Sequence, residues 1–175
     1  MIHPRVVVRV AITALSFSAA GFAGLAVKEH YTDTAVIPTV NDRATVGLGS
    51  TFRNDGTPVQ MGDTITPIQA IVRSINHIAK DESALKRCVT APLSQSEYDV
   101  LVDFAYQYGV AATCSSSMVR HANAGRYADS CNAYALYKRS GGYDCSTLVN
   151  GKPNRRCWGV WTRSLERRDR CLGLA

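Results

Sequence analysis

The segment VKEHYTDTAVIPTVNDRATVGLGST, Val27 to Thr51, decides how the chain is read. An uncharged apolar run ends at its first residue. Lys28 and Glu29 follow, then Asp33 and Asp42, then Thr45. Ala35–Val40 (AVIPTV) and Thr45–Gly49 (TVGLG) are short β-prone runs, and Asn41-Asp42-Arg43-Ala44 between them has turn chemistry. The segment predicts a hairpin behind an acid. It also poses a question: why does a carboxyl stand at the mouth of a membrane-like stretch?

That stretch is VAITALSFSAAGFAGLAV, Val10 to Val27, 18 residues without a charge. As one helix it would span about 27 Å at 1.5 Å per residue, close to the ~30 Å of a bilayer core. Arg5 and Arg9 precede it, which predicts a cytoplasmic N-terminus and export of the rest. It is weakly hydrophobic, because 11 of its 18 residues are Ala, Gly, Ser or Thr. Three readings stand: a cleaved signal peptide, with small residues before Gly24 and Val27; a permanent anchor; and a marginal anchor able to leave the membrane. Cleavage after Ala26 would put Glu29 on a frayed terminus. If Glu29 matters, the third reading is the one that serves it.

Downstream, Asn54-Asp55-Gly56 marks a second turn. Thr66 and Pro67 open a helix whose apolar positions are Ile68, Ile71, Val72, Ile75 and Ile78. Ser94-Gln95-Ser96-Glu97 is a capping box, followed by Tyr98, Leu101, Val102, Ala105 and Tyr108 on one face and Gly109 as the stop. Further helices are predicted over Ser115–Ala124, Tyr127–Tyr137 and Trp158–Cys171. A hairpin followed by helices is an α+β architecture.

The net charge is +6 and the pI about 9.1, which suits an anionic partner: nucleic acid, a membrane surface or a cell-wall polymer. The densest basic cluster is Arg155, Arg156, Arg163, Arg167, Arg168 and Arg170, either a binding surface or a solvated helix face. Six cysteines, Cys88, Cys114, Cys131, Cys145, Cys157 and Cys171, lie in the C-terminal half with no CxxC pair. An even, dispersed set behind an export-like segment predicts disulfides; Cys145–Cys157 would close a local Gly- and Pro-containing loop. His30, His77 and His121 form no ligand-like grouping, so no metal is expected. Trp158 and Trp161 suit either sugar stacking or, more simply, core packing.

In order, the chain presents a helix ending in Glu29, TVGLGST, GDTITPIQA, PLSQSEYDVLVDFAYQYG, NAGRYADSC and CWGVWTRSLERRDRC. This order resembles the phage-type lysozymes, glycoside hydrolase family 24, over roughly Lys28 to Gly173. The N-terminus resembles the signal-anchor-release segment of a subset of phage endolysins. The resemblance implies a lysozyme-like fold, with residues 1–27 as a membrane segment and 28–175 as the catalytic domain. It implies a muramidase that cuts the β-1,4 bond between N-acetylmuramic acid and N-acetylglucosamine and lyses the host. It implies export to the periplasm, tethering to the inner membrane through residues 10–27 and later release, so that membrane topology controls the acid. Peptidoglycan is then the anionic partner rather than nucleic acid, the chain a monomer, and no cofactor is needed.

Residue by residue, the resemblance assigns Glu29 as the acid, Thr45 as holder of the water, and Gly47 and Gly49 as substrate-binding. The usual Glu-Gly is Glu29-His30 here, and the position six before the Thr, where the family has its Asp, is Thr39. Asp42 is the favoured carboxylate. Asp33 is its rival, disfavoured because a continuing helix would put it on Glu29's own face. The implied disulfides are Cys88–Cys114, Cys131–Cys171 and Cys145–Cys157. A lytic transglycosylase on the same fold and a non-catalytic, disulfide-rich wall-binding protein are the alternatives.

Overall fold

Ser18 divides the N-terminal apolar run. Its hydroxyl accepts from Gly21 N at 2.9 Å and caps α1, Ala19–Glu29. The computed structural model describes residues 7–38 and 42–174. Where the sequence predicts one membrane-length helix, it has a 3-10 turn, Ile12–Ala14, and the 11-residue α1. At 1.5 Å per residue α1 is only about 16 Å long. Among the described residues no helix is long and apolar enough to cross a membrane. In this structure the stretch forms two short elements in place of the single helix expected from sequence. The serine that made the run weakly hydrophobic also supplies a helix start, and Gly21 and Leu25 are buried in protein.

The chain clusters into two units: Phe17–Ser83, and Ala84–Ala175 together with Met1–Ser16. The 27/28 boundary expected from sequence falls inside α1. In the Phe17–Ser83 unit, β1 (Thr32–Val36) pairs antiparallel with β2 (Thr45–Gly47). Thr32 faces Gly47 and Val36 faces Thr45, so four steps along β1 match two along β2, a bulge that re-aims Asp33 to Ala35. The other edge of β1 is covered through Ala35 N to Asp63 O (2.8 Å) and Ile65 N to Asp33 O (2.9 Å). The expected hairpin is present, begun earlier than Ala35. Thr39, Val40 and Asn41 lie outside the described residues.

Ala35, Val46, Leu48, Val59, Ile65 and Ala70 form this unit's core, with Phe22, Ala26 and Ala44 against it. The Asn54-Asp55-Gly56 turn forms as expected, Asp55 accepting from the Thr57 amide and hydroxyl. Arg53 grips both oxygens of Asp63 at 2.7 Å and holds that carboxyl down to about 2.

The helix predicted from Thr66 is α2, Pro67–Cys88, which runs past Ser83 into the second unit. Thr66 and Gln69 satisfy each other's amides, the reciprocal cap that fixes its start. Its buried face differs from the expected one. Ala70, Ser74, Ile78 and Leu85 are inside, whereas Ile68, Ile71, Val72 and Ile75 are exposed. The small residues allow close approach: a Cβ built on Gly47 would stand 2.9 Å from the Ala70 Cβ.

The Ala84–Ala175 unit is organised by α3, Gln95–Tyr108, with the expected Ser94/Glu97 capping box and Gly109 at its end. Every residue from Glu97 to Ala105 is buried, so the helix is enclosed rather than one-faced. Around it come α4 (Val110–Cys114), α5 (Ser117–Asn123), α6 (Tyr127–Asn132) with a 3-10 turn at Ala133–Leu136, and α7 (Trp158–Leu172). Two short hairpins, β3–β4 (Arg139–Ser140, Tyr143–Asp144) and β5–β6 (Leu148–Val149, Lys152–Pro153), precede α7. Phe104 centres the core, with Tyr108, Tyr134 and Tyr137 at ring distances of 4.5, 5.7 and 4.7 Å. Arg167 of the basic cluster is neither surface nor solvated. It is 1% exposed and donates to Asp103 at 2.6 Å.

The three disulfides pair as the resemblance implied: Cys88–Cys114, Cys131–Cys171 and Cys145–Cys157. This unit also holds the chain's beginning. Val10 and Leu93 exchange amide hydrogen bonds at 2.9 Å, Ile12 and Leu15 are buried, and Lys86 Nζ donates to Leu15 O at 2.6 Å. Arg9 grips buried Glu97 at 2.6–3.0 Å and stacks 3.7 Å above the Tyr127 ring. The residues expected to enter a bilayer are, in this structure, a strap on protein.

Candidate active site

α1 delivers Glu29 as its last residue. The chain leaves the helix through His30, at φ 49°, ψ 125°, backbone geometry that favours glycine. Holding a histidine there costs on the order of 1 kcal/mol. The departure from Glu-Gly noted in the sequence thus falls at a strained step next to the acid. No pattern in the sequence signals that strain beyond the glycine usual at a helix stop.

Glu29 is half-buried, and its carboxylate lies against Gly49. Gly49 sits in the tight turn closed by the reciprocal amide bonds of Val46 and Ser50, at φ +73°. A Cβ there would stand 3.0 Å from Glu29 Oε2. The absent side chain leaves bare backbone beside the acid. Gly47 is buried and has a different reason, the close packing on Ala70. Gly49→Ala should therefore reduce turnover at least tenfold while the thermal midpoint falls by a few degrees. The strained φ accounts for the second effect, and displacement of the Glu29 carboxylate for the first. Steady-state assays at a temperature where both proteins are folded separate the two, and unchanged turnover would refute the placement of Glu29.

Thr45 begins β2, opposite Val36, and its hydroxyl donates to Val36 O over a long 3.4 Å. Asp42 is exposed, three residues before Thr45, and its carboxylate accepts from Arg43 N at 2.8 Å. Asp33 is exposed on β1. The helix stops at Glu29, so Asp33 does not share its helical face, and the reason given for preferring Asp42 on that count does not apply. Glu29, Asp33, Asp42, Thr45, Gly47 and Gly49 all belong to the Phe17–Ser83 unit. Among the described residues no three His, Cys, Asp or Glu side chains gather as a metal site. Trp158 and Trp161 are half-buried on α7.

The phage lysozyme family profile matches residues 21–157, a span that includes every one of these positions except the two tryptophans. The chain belongs to that family. This phage lysozyme is 31% identical over 111 residues to the endolysin of Salmonella phage P22, covering 63% of the chain and 72% of that relative. It is 30% identical over 129 residues to the endolysin of Bacillus phage PZA, 74% of the chain but only 46% of that relative, so it spans about half of the Bacillus protein. The endolysin from Escherichia coli O157:H7 phage FAHEc1 has the same architecture, with a TM-score of 0.75 at 25% identity over 93% of this chain and 96% of that one. The fold is lysozyme-like α+β, and the family membership makes the chain a cell-wall-lytic, peptidoglycan-hydrolysing enzyme.

Proposed function

We propose that this phage lysozyme is an endolysin with muramidase activity, cleaving the β-1,4 bond between N-acetylmuramic acid and N-acetylglucosamine and so lysing the host. The observation that carries this reading is the Glu29 carboxylate at the end of α1 beside the bare backbone of Gly49. Glu29 protonates the leaving glycosidic oxygen. Water, oriented by the Thr45 hydroxyl, attacks the anomeric carbon from the opposite face and gives its proton to Asp42. That inverting geometry needs the two carboxyls roughly 6.5–9.5 Å apart. Gly49, rather than buried Gly47, borders the bond that breaks. The basic surface favours the anionic wall, and the enzyme works as a monomer.

The enzyme is exported to the periplasm, first tethered by residues 10–27 and then released. The strap supports an uncleaved N-terminus: cleavage after Ala26 would take Arg9 from Glu97, which is 6% exposed, and Ile12 and Leu15 from the same unit. End-group analysis of digested Gram-negative peptidoglycan tests the reaction. New reducing ends from wild type, lost in Asp42→Asn and kept in Asp33→Asn, are expected. Loss in Asp33→Asn instead would reassign the carboxylate. 1,6-Anhydromuramic ends, with Asp42 and Thr45 dispensable, would establish a transglycosylase, and binding without cleavage a wall-binding protein.

A further inference from the structure

Between α6 and α7 the hairpins β3–β4 and β5–β6 are tied to the start of α7 by Cys145–Cys157. Asn154 anchors the last turn from inside. It is 7% exposed, its amide donates to Asp144 O at 3.4 Å, and its side-chain oxygen accepts from Arg156 N at 3.1 Å. Around it Lys152, Arg155 and Arg156 are all exposed. From Ser130 to Leu165 Asp144 is the one acidic residue. The Ser146 hydroxyl and amide, at 2.6 and 2.9 Å, and Lys138, at 3.0 Å, take its carboxylate. Arg139 lies opposite Asp144 in β3–β4, so its charge is offset too. Among the described residues no carboxylate pairs with Lys152, Arg155 or Arg156. Arg156 instead lies 4.6 Å over the ring of Tyr143, which is 48% exposed. A guanidinium held on an aromatic face keeps its in-plane N–H donors for a planar anion.

We propose that Lys152, Arg155 and Arg156 form a wall-anchoring platform that binds the free carboxylates of peptidoglycan stem peptides. The proposal rests on the peptidoglycan substrate and not on which bond is cut. That substrate supplies the matching anion: its sugars carry short peptides with free carboxylates, and arginine is the side chain that grips a carboxylate with two parallel hydrogen bonds. The cross-link and the buried Asn154 fix the cations before binding, which lowers the cost of ordering them. A lipid surface fits less well. Leu148 and Val149 are 61% and 54% exposed, but they are successive residues of β5, so their side chains leave opposite faces and make no apolar patch. The platform belongs to the Ala84–Ala175 unit, whereas Glu29 belongs to the other, so its role is to hold the wall and not to cut it.

The test is co-sedimentation on ice of the full, oxidised chain with purified Gram-negative sacculi, either native or with their carboxyls amidated. Wild type is expected to bind native sacculi about tenfold more tightly than amidated ones. Lys152→Gln/Arg155→Gln/Arg156→Gln changes exposed side chains and keeps both cysteines. It should lose about tenfold of the affinity for native sacculi and little for amidated ones. Its thermal midpoint and its hydrolysis rate at saturating sacculi should match wild type, so that apparent KM rises at constant kcat. Lys80→Gln/Arg120→Gln/Arg126→Gln removes the same charge elsewhere and should bind as wild type does. Because binding is read without cleavage, a chain that binds carboxylates but cuts nothing would refute the enzyme and leave the platform standing. Equal loss in both triple variants would assign binding to net charge and overturn the proposal. Equal binding of native and amidated sacculis by wild type would overturn it as well, and so would a platform variant that binds like wild type.

Discussion

Glu29→Gln is expected to lower the rate of reducing-end release by about 100- to 10,000-fold, the range for loss of a positioned general acid. The substitution is isosteric and sits at the end of α1, where the side chain is half-buried. Thermal unfolding should therefore be unchanged, and binding to insoluble peptidoglycan should persist, since only proton delivery is lost. Hydrolysis above about a tenth of wild type would mean that the acid lies elsewhere.

Asp103→Ala is expected to have the largest effect on stability. Arg167 and Asp103 are 1% and 5% exposed, and the Arg167 guanidinium also lies 5.5 Å from the centre of the Phe104 ring. Removing the carboxylate strands a buried cation, which costs about 3–5 kcal/mol, a large part of the 5–15 kcal/mol that typically holds a domain folded. The double change Asp103→Leu/Arg167→Met should recover most of it, because the penalty belongs to the unpaired charge and not to the loss of the pair. Urea unfolding with the disulfides intact checks both; a single variant within 1 kcal/mol of wild type would refute the assignment.

The sequence announced some features because local chemistry alone makes them. Thr66 with Gln69 and Ser94 with Glu97 are caps that form wherever a helix starts. The hairpin around Thr45 was likewise legible; of the disulfides, local spacing pointed only to Cys145–Cys157, and the full pairing came from the family resemblance. The buried face of α2 was not. Periodicity locates an apolar stripe, but which stripe faces the core depends on the neighbour, and here the neighbour at Ala70 is Gly47, whose close approach leaves no room for a larger side chain. Hydropathy gives small residues no weight. Arg167 was hidden for a related reason: one arginine among six differs from the others only through Asp103, 64 positions away. In the site, Glu29 was visible as an acid placed after an apolar run. The reason for Gly49 beside it was not, since a close approach of backbone and carboxylate leaves no trace in composition.

The cross-links have a consequence for where the protein holds together. All three cysteine pairs fall within Ala84–Ala175, and Phe17–Ser83 contains no cysteine. The loops they close have sequence separations of 26, 40 and 12. Each such closure removes about 2–4 kcal/mol of unfolded-chain entropy, so together they approach the whole stability of an ordinary domain. Reduction is therefore expected to destabilise Ala84–Ala175, while Phe17–Ser83, which carries Glu29, has no cross-link to lose.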